Sequence, residues 1–230
     1  MKYIGVFGSK ESLKTIKQTE LSGFTVLGYP IIDFSPCNFE LPPKENFDWI
    51  FFGSKRGVKY FLQKAGKEFV KEMKIACVGK KTAEYLKSEN IETDFIPSNY
   101  SSKNFYKEFI SLYPDARGIL FPTSNLSDNK LKEDFEKKGI RFEKITVYKT
   151  ECAKINLNEK IDAWVFFSPS SFECFLKQFG KKPLENSVIV AIGPPTASKI
   201  EKKGFLCTYP ETYLPKNAII KASEILSQEV

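Results

Sequence analysis

The chain contains no histidine, so the commonest general base and the commonest transition-metal ligand are both missing. Its chemistry has to run on hydroxyls, carboxylates, amines and backbone amides, and no metal site is expected. Cysteine offers no replacement: Cys37, Cys77, Cys152, Cys174 and Cys207 are odd in number, lack CxxC spacing and fall mostly in apolar segments, which reads as reduced core residues. Long hydrophobic runs are absent as well. The longest, such as Trp164-Val165-Phe166-Phe167, have strand length against the roughly 20 residues of a membrane-spanning helix, so no membrane partner is expected. The start, Met1-Lys2-Tyr3-Ile4-Gly5-Val6-Phe7, leads straight into a strand with no signal-type apolar region, and the expected location is cytoplasmic. Disorder has no support, since 42% hydrophobic residues in a chain of 230 can bury two modest cores.

Lys and Arg number 35 against 28 Asp and Glu, a net charge of +7 that favours an anionic partner. The same charge also reads as an ordinary solvated surface, because lysines such as Lys67, Lys71, Lys137, Lys138, Lys202 and Lys203 are scattered along helical segments. No aromatic-basic RNA motif, helix-turn-helix pattern or zinc-finger spacing accompanies it, so no nucleic-acid partner is expected.

What the chain does contain is a duplication. Asp48-Trp49-Ile50-Phe51-Phe52-Gly53-Ser54 returns as Asp162-Ala163-Trp164-Val165-Phe166-Phe167-Ser168, and Ile75 to Ala83 returns as Ile189 to Ala197. Both blocks have one offset, since 168 minus 54 and 196 minus 82 each give 114. Pro97, Tyr100, Lys103 and Asn104 then match Pro210, Tyr213, Lys216 and Asn217 at 113, so one residue was gained or lost in between. Gly5 to Ile32 pairs more loosely with Gly118 to Tyr148, with Gly23 answering Gly139. Each copy is large enough to be a small domain, and a cleft between two such domains is a natural place for a small ligand.

Short β-rich runs (Tyr3 to Phe7, Trp49 to Phe52, Ile75 to Val78, Gly118 to Phe121, Ala163 to Phe167, Val188 to Ile192) each lead through a Gly, Ser, Thr or Pro turn into an amphipathic helix. This is the pattern of parallel βα units. The expected fold is α/β: two similar parallel-sheet domains facing across a cleft. Pro36 to Pro43 and Lys149 to Asn158 are the expected crossings between them. Ser54, Thr82, Ser168, Ser170 and Thr196 fall at strand-to-helix turns, where parallel sheets bind ligands and helix N-termini favour anions. Each one alone reads as an N-cap worth about 1 kcal/mol. Recurrence of the same hydroxyl and glycine pattern in both copies points to a polycarboxylate guest.

The Phe-x-Ser-x-x-x-Val/Phe pattern, the Gly-x-x-Thr-Ala blocks, and Lys138-Gly139-Ile140 through Thr146-Val147-Tyr148-Lys149-Thr150 resemble the uroporphyrinogen-III synthase family. Phe166-Phe167-Ser168-Pro169-Ser170 and Ile192-Gly193-Pro194-Pro195-Thr196-Ala197 are the most typical stretches, and the likeness runs from about Gly5 to the C-terminal helix. The resemblance implies a cofactor-independent lyase that converts hydroxymethylbilane, which carries eight carboxylates, to uroporphyrinogen III in haem biosynthesis. The terminal hydroxyl is lost and ring D is inverted, whereas spontaneous closure yields the type I isomer. By the same likeness Tyr148 is the candidate for assisting hydroxyl departure, with a strand-end packing role as the other reading. Thr82 and Thr196 are assigned to carboxylate binding, with Ser54, Ser168, Ser170 and Arg56 as further substrate contacts.

The chain departs from the family pattern in three turns. Gly53-Ser54-Lys55-Arg56 stands where a Thr-Ser-Pro-like turn is usual, Pro122-Thr123-Ser124-Asn125 lacks an arginine found in many relatives, and Pro194-Pro195 removes two N–H donors. The family further implies that residues 1–34 join 152–230 in one domain, that 35–151 form the other, and that a short two-stranded linker joins the two. Domain closure on the substrate, a monomer, and hand-over of substrate from the preceding enzyme complete the expectation. A non-catalytic module that binds a tetrapyrrole or another polycarboxylate is the alternative.

Overall fold

Short strands form where β-branched and aromatic residues run uninterrupted, and the helices capped by Ser9, Ser54, Gly79, Ser168 and Gly193 start where such a run closes. The computed structural model describes residues 1–18, 21–99 and 101–228; Tyr100, matched to Tyr213 by the repeat, lies outside them. In chain order the elements are β1 (Lys2–Ser9), α1 (Lys10–Leu13), β2 (Phe24–Pro36), β3 (Trp49–Phe52), α2 (Lys55–Ala65), β4 (Lys74–Cys77), α3 (Lys80–Ser88) and α4 (Ser102–Leu112). They continue with β5 (Gly118–Ser124), α5 (Lys130–Glu136), β6 (Arg141–Cys152), β7 (Ala163–Phe166), α6 (Pro169–Phe179), β8 (Val188–Ala191), α7 (Pro194–Glu201) and α8 (Pro215–Gln228).

The chain divides into a discontinuous unit, Met1–Asp33 with Glu151–Val230, and a continuous unit, Phe34–Thr150. The first has strand order β2-β1-β7-β8 and the second β6-β5-β3-β4. All the pairs within them are parallel, so the fold is α/β. β2 and β6 were not among the runs singled out from sequence. β2 is interrupted by Pro30, and β6 mixes exposed charged residues with its buried ones. These two long strands are the segments that run past the unit boundaries.

The duplication is visible in the pairing. β3 pairs β4 from Trp49↔Lys74 to Phe52↔Cys77, and β7 pairs β8 from Ala163↔Val188 to Phe166↔Ala191, every partner displaced by 114. Ile91 donates to the Leu86 carbonyl as Phe205 donates to that of Ile200, still at 114, whereas the bridge Ala76↔Phe95 answers Val190↔Thr208 with the second partner at 113. The extra residue therefore lies between Ile91 and Phe95. Gly23 and Gly139, matched by sequence, both adopt positive φ, 83° and 76°.

Strands covered on both faces are apolar at every position. In β3, Ile50 and Phe52 face a core containing Val58, Phe61 and Leu86, while Trp49 and Phe51 face another built from Phe105, Phe109, Phe121, Phe135 and Phe142. In the discontinuous unit Ala163 and Val165 pack under Ala218, Ile219 and Ala222 of α8. Trp164 and Phe166 join the rings of Phe7 and Phe175.

The cysteine reading is corrected at one pair. Cys152, at the end of β6, and Cys174, on α6, form a disulfide with their Cα atoms 5.3 Å apart. Cys37, Cys77 and Cys207 are free. The pair escaped detection because the end of β6, not local spacing, brings Cys152 to the helix, where Gln178 also holds the segment just after the strand through the Ala153 carbonyl and the Ile155 N–H.

Tyr29 of β2 supplies a stability prediction. Its phenol donates to Glu159 at 3.2 Å, and burial first, then Glu159, push its pKa up to about 12. An unfolded tyrosine titrates near 10, so above that pH the unfolded chain releases this proton first and stability falls as pH rises toward 12. Urea midpoints measured across that window should drop, and Tyr29→Phe should flatten the drop; equal slopes would remove Tyr29 from the account.

Candidate active site

The first turn of α2 is drawn tightly onto β5. Gly57 has no room for a side chain, because a Cβ there would come 2.8 Å from the Pro122 carbonyl oxygen, and Gly53 rests against the Phe121 ring in the same way at 3.2 Å. Between them Ser54 caps α2, its hydroxyl accepting the Gly57 N–H at 3.1 Å.

Across from this turn β6 carries a bulge. The β5–β6 register runs from Gly118↔Arg141 to Thr123↔Thr146 and then jumps to Ser124↔Tyr148, skipping Val147. A bulge re-aims the residues around it. Here Tyr148 joins Ile145 and Val147 in one core cluster although strict alternation would put it on the opposite face. The Tyr148 hydroxyl lies 3.4 Å from Ser54 Oγ, its ring stacks on Tyr60 at 5.4 Å and meets the edge of Phe34 at 6.1 Å. The Arg56 guanidinium lies 3.8 Å over the Phe34 ring, and the Tyr60 phenol donates to the Phe34 carbonyl at 3.3 Å. Ser54, Arg56 and Tyr148 thus meet in one cluster of the continuous unit. Tyr60 and Phe34 belong to it too, and sequence reasoning missed both; the signal was available for Tyr60, which stands four residues after Arg56 on the same helical face.

Thr82 lies in the first turn of α3, after β4, the strand beside β3, and is 7% exposed. In the discontinuous unit Ser168 caps α6, Ser170 is half-buried in its first turn, and Thr196, 1% exposed, occupies the first turn of α7 after the neighbouring strand. The predicted hydroxyls therefore form two sets, one per unit, each at the carboxyl ends of adjacent parallel strands.

The two sets differ chemically. Ser171 answers Ser168 with a reciprocal capping box, whereas Gly57 at the equivalent position has no side chain to return to Ser54; both cap hydroxyls accept the N–H three residues on, and the Ser54 hydroxyl also lies against that of Tyr148. Lys55, Lys80 and Lys81 in the first turns of α2 and α3 correspond to Pro169, Pro194 and Pro195 in α6 and α7. Cations at a helix N-terminus oppose the helix dipole, so these three exposed lysines gain nothing locally. A cavity of about 550 Å³ beside β5 is lined by Lys103, Lys107 and Lys130 together with Asp128 and Asp134, around Phe121 and Leu131.

Comparison with known proteins decides what this arrangement belongs to. The family model described as uroporphyrinogen-III synthase HemD matches residues 14–219. This chain belongs to the uroporphyrinogen-III synthase family. Family membership makes it an enzyme of tetrapyrrole synthesis, with the function of a uroporphyrinogen-III synthase in haem biosynthesis. It is 27% identical over 224 residues to the uroporphyrinogen-III synthase of Chlorobaculum parvum, covering 90% of this chain and 91% of that one. The fold is shared with uroporphyrinogen-III synthetase from Helicobacter pylori, at a TM-score of 0.72, 18% identity, and coverage of 98% of this chain and 100% of the other. It is also shared with a mutant uroporphyrinogen III synthase from Thermus thermophilus, at a TM-score of 0.67, 13% identity and complete coverage of both chains.

No helix among the described residues is long and apolar enough to cross a membrane.

Proposed function

We propose that the chain works as a cofactor-independent lyase that folds hydroxymethylbilane for ring D inversion, releases its terminal hydroxyl as water and closes the macrocycle. The observation that carries this reading is the Ser54–Tyr148 hydroxyl pair at the end of β3, flanked by Lys55 and Arg56 and neighboured by Lys80 and Lys81. A phenol supplies a hydrogen bond or proton to a poor leaving group. As the C–O bond breaks, its electron pair leaves with oxygen and the donated proton completes the water. The freed methylene bonds the ring D α-carbon that already carries the chain, that carbon's bond to the neighbouring methylene breaks, this methylene re-bonds at the unsubstituted α-carbon of ring D, and the proton on that carbon is returned.

The lysines and Arg56 attract the carboxylates, and the hydroxyls at the strand ends orient them. The lysine-for-proline difference assigns the greater share of charge recognition to the continuous unit. Thr82 and Thr196 take carboxylate contacts in this reading. Thr82→Val, which keeps the side-chain volume, is expected to raise KM roughly tenfold, the lower end of what a hydrogen bond to a charged group supplies. Unchanged KM and kcat would make Thr82 a packing residue. We further propose a cytoplasmic monomer that receives its substrate directly from the enzyme that makes it, because free hydroxymethylbilane closes spontaneously to the type I isomer.

The test is to give freshly generated hydroxymethylbilane to the purified protein and separate the oxidised porphyrin isomers by chromatography. Type III product above the spontaneous background supports the reading. Type I alone overturns it in favour of a module that binds a polycarboxylate without turning it over.

A further inference from the structure

We propose that Asn125 is a positioning residue for Tyr148, an inference that rests on the catalytic reading of Tyr148 above. The Asn125 backbone N–H donates to the Tyr148 carbonyl at 3.2 Å, and its side-chain Oδ1 accepts the Thr150 N–H at 2.8 Å. One residue therefore grips the strand at the tyrosine and again two residues beyond it.

The grip falls at the break in the β5–β6 ladder. The register jump between Thr123 and Ser124 leaves Val147 without a partner on β5, its carbonyl accepting the Cys37 N–H at 3.0 Å instead, so this ladder is interrupted immediately before Tyr148. The loop that carries Asn125 is itself anchored. Lys144, on the same strand β6, donates to the Ser127 and Asp128 carbonyls, each at 2.7 Å, and to Asn129 Oδ1 at 2.8 Å. The Ser127 N–H closes the turn onto the Ser124 carbonyl at 3.2 Å. Backbone position is thus passed from Lys144 through the loop to Asn125 and from there to Tyr148.

The other copy of the repeat supplies an internal comparison. β1 and β2 carry the same irregularity, where Gly8↔Pro30 gives way to Ser9↔Ile32. Aligned on that jump, Ile32 stands where the continuous unit has Tyr148, and Lys10 stands where it has Asn125. The asparagine therefore occurs in the copy whose bulge presents a phenol and is replaced in the copy whose bulge presents an alkyl group. Geometry gives the grip a catalytic consequence. The hydroxyl contact between Tyr148 and Ser54 is already 3.4 Å, and a displacement of about 1 Å at a reacting group can cost on the order of a hundredfold in rate.

The experiment compares Asn125→Ala, Asn125→Asp, Tyr148→Phe and the Asn125→Ala/Tyr148→Phe double variant with the wild type. Each is assayed for type III formation with kcat and KM separated, and each is checked for folding by thermal melting. Asn125→Ala is expected to lower kcat roughly tenfold, part of the loss that such a displacement can cause, while KM stays within about twofold. Asn125→Asp, whose carboxylate oxygen still accepts the Thr150 N–H, is expected to restore most of the rate. In the Tyr148→Phe background the alanine substitution is expected to cost nothing further. An unchanged kcat in Asn125→Ala, or the same fold-loss with and without the Tyr148 hydroxyl, overturns the positioning role while leaving the synthase reading intact. Failure of the wild type to form any type III product overturns that reading and this proposal with it. Should Asn125→Ala not fold, the judgement passes to Asn125→Asp, and a tenfold loss in that folded variant overturns the proposal.

Discussion

Tyr148→Phe is expected to lower the turnover for type III formation by roughly ten- to a hundredfold without abolishing it, at the low end of the range for loss of a positioned acid. The substitution is clean because the ring is held independently of its hydroxyl. Tyr148 is 8% exposed, stacks on Tyr60 and packs against Phe34, and phenylalanine keeps all of these contacts. What disappears is the oxygen 3.4 Å from Ser54 Oγ. Residual activity is expected because much of the acceleration comes from holding the bilane in the bent conformation that leads to inversion, which the other contacts still do. Single-turnover measurement of type III formation, with a melting curve to show that the fold is intact, checks the prediction. Turnover equal to the wild type in a stable variant would reduce Tyr148 to a packing residue.

Phe105→Ala is expected to cost about 4 kcal/mol of stability, in the usual range for deleting a buried aromatic ring. Phe105 is fully buried on α4, its ring 3.9 Å from that of Phe51 and 5.4 Å from that of Phe109. The stack leads to the site. Phe51 meets Phe121 at 4.8 Å, and Phe121 is the ring against which Gly53 rests, one residue before Ser54. The cavity left by the alanine should therefore loosen the Ser54 turn, and KM should rise in the fraction that remains folded. Urea unfolding gives the stability change directly. A loss below about 1 kcal/mol would mean that the surrounding rings collapse into the space, far outside the usual behaviour of a packed core.

Much of the architecture was legible in the chain because the signals are local. Trp49 to Phe52 and Ala163 to Phe166 are apolar at every position, which requires cover on both faces, and Ser54 and Ser168 cap the helices that follow. The repeat was read at single-residue resolution, down to the offset change now located between Ile91 and Phe95. Three features were not legible. β2 and β6 lack the short uniform pattern of the other strands. The disulfide joins Cys152 to a helix 22 residues away in sequence with no motif to announce it. Asn125 was visible as a turn residue, but its link to Tyr148 depends on the bulge, and a register shift of one residue leaves no mark in composition.

The sequence by itself determined the parallel βα units, their duplication, and the hydroxyl turns at the strand ends, because periodicity and helix capping act over a few residues. Tertiary structure alone decided which half-copies join. The first half of one copy, β1 and β2, shares a sheet with the second half of the other, β7 and β8, while β3 and β4 join β5 and β6. The copies have the same strand order and register, so local pairing does not distinguish a partner from the same copy from one in the other. The choice rests on where β2 and β6, at 13 and 12 residues, carry the chain. The same long-range geometry sets Tyr148 against Ser54, 94 residues apart in sequence.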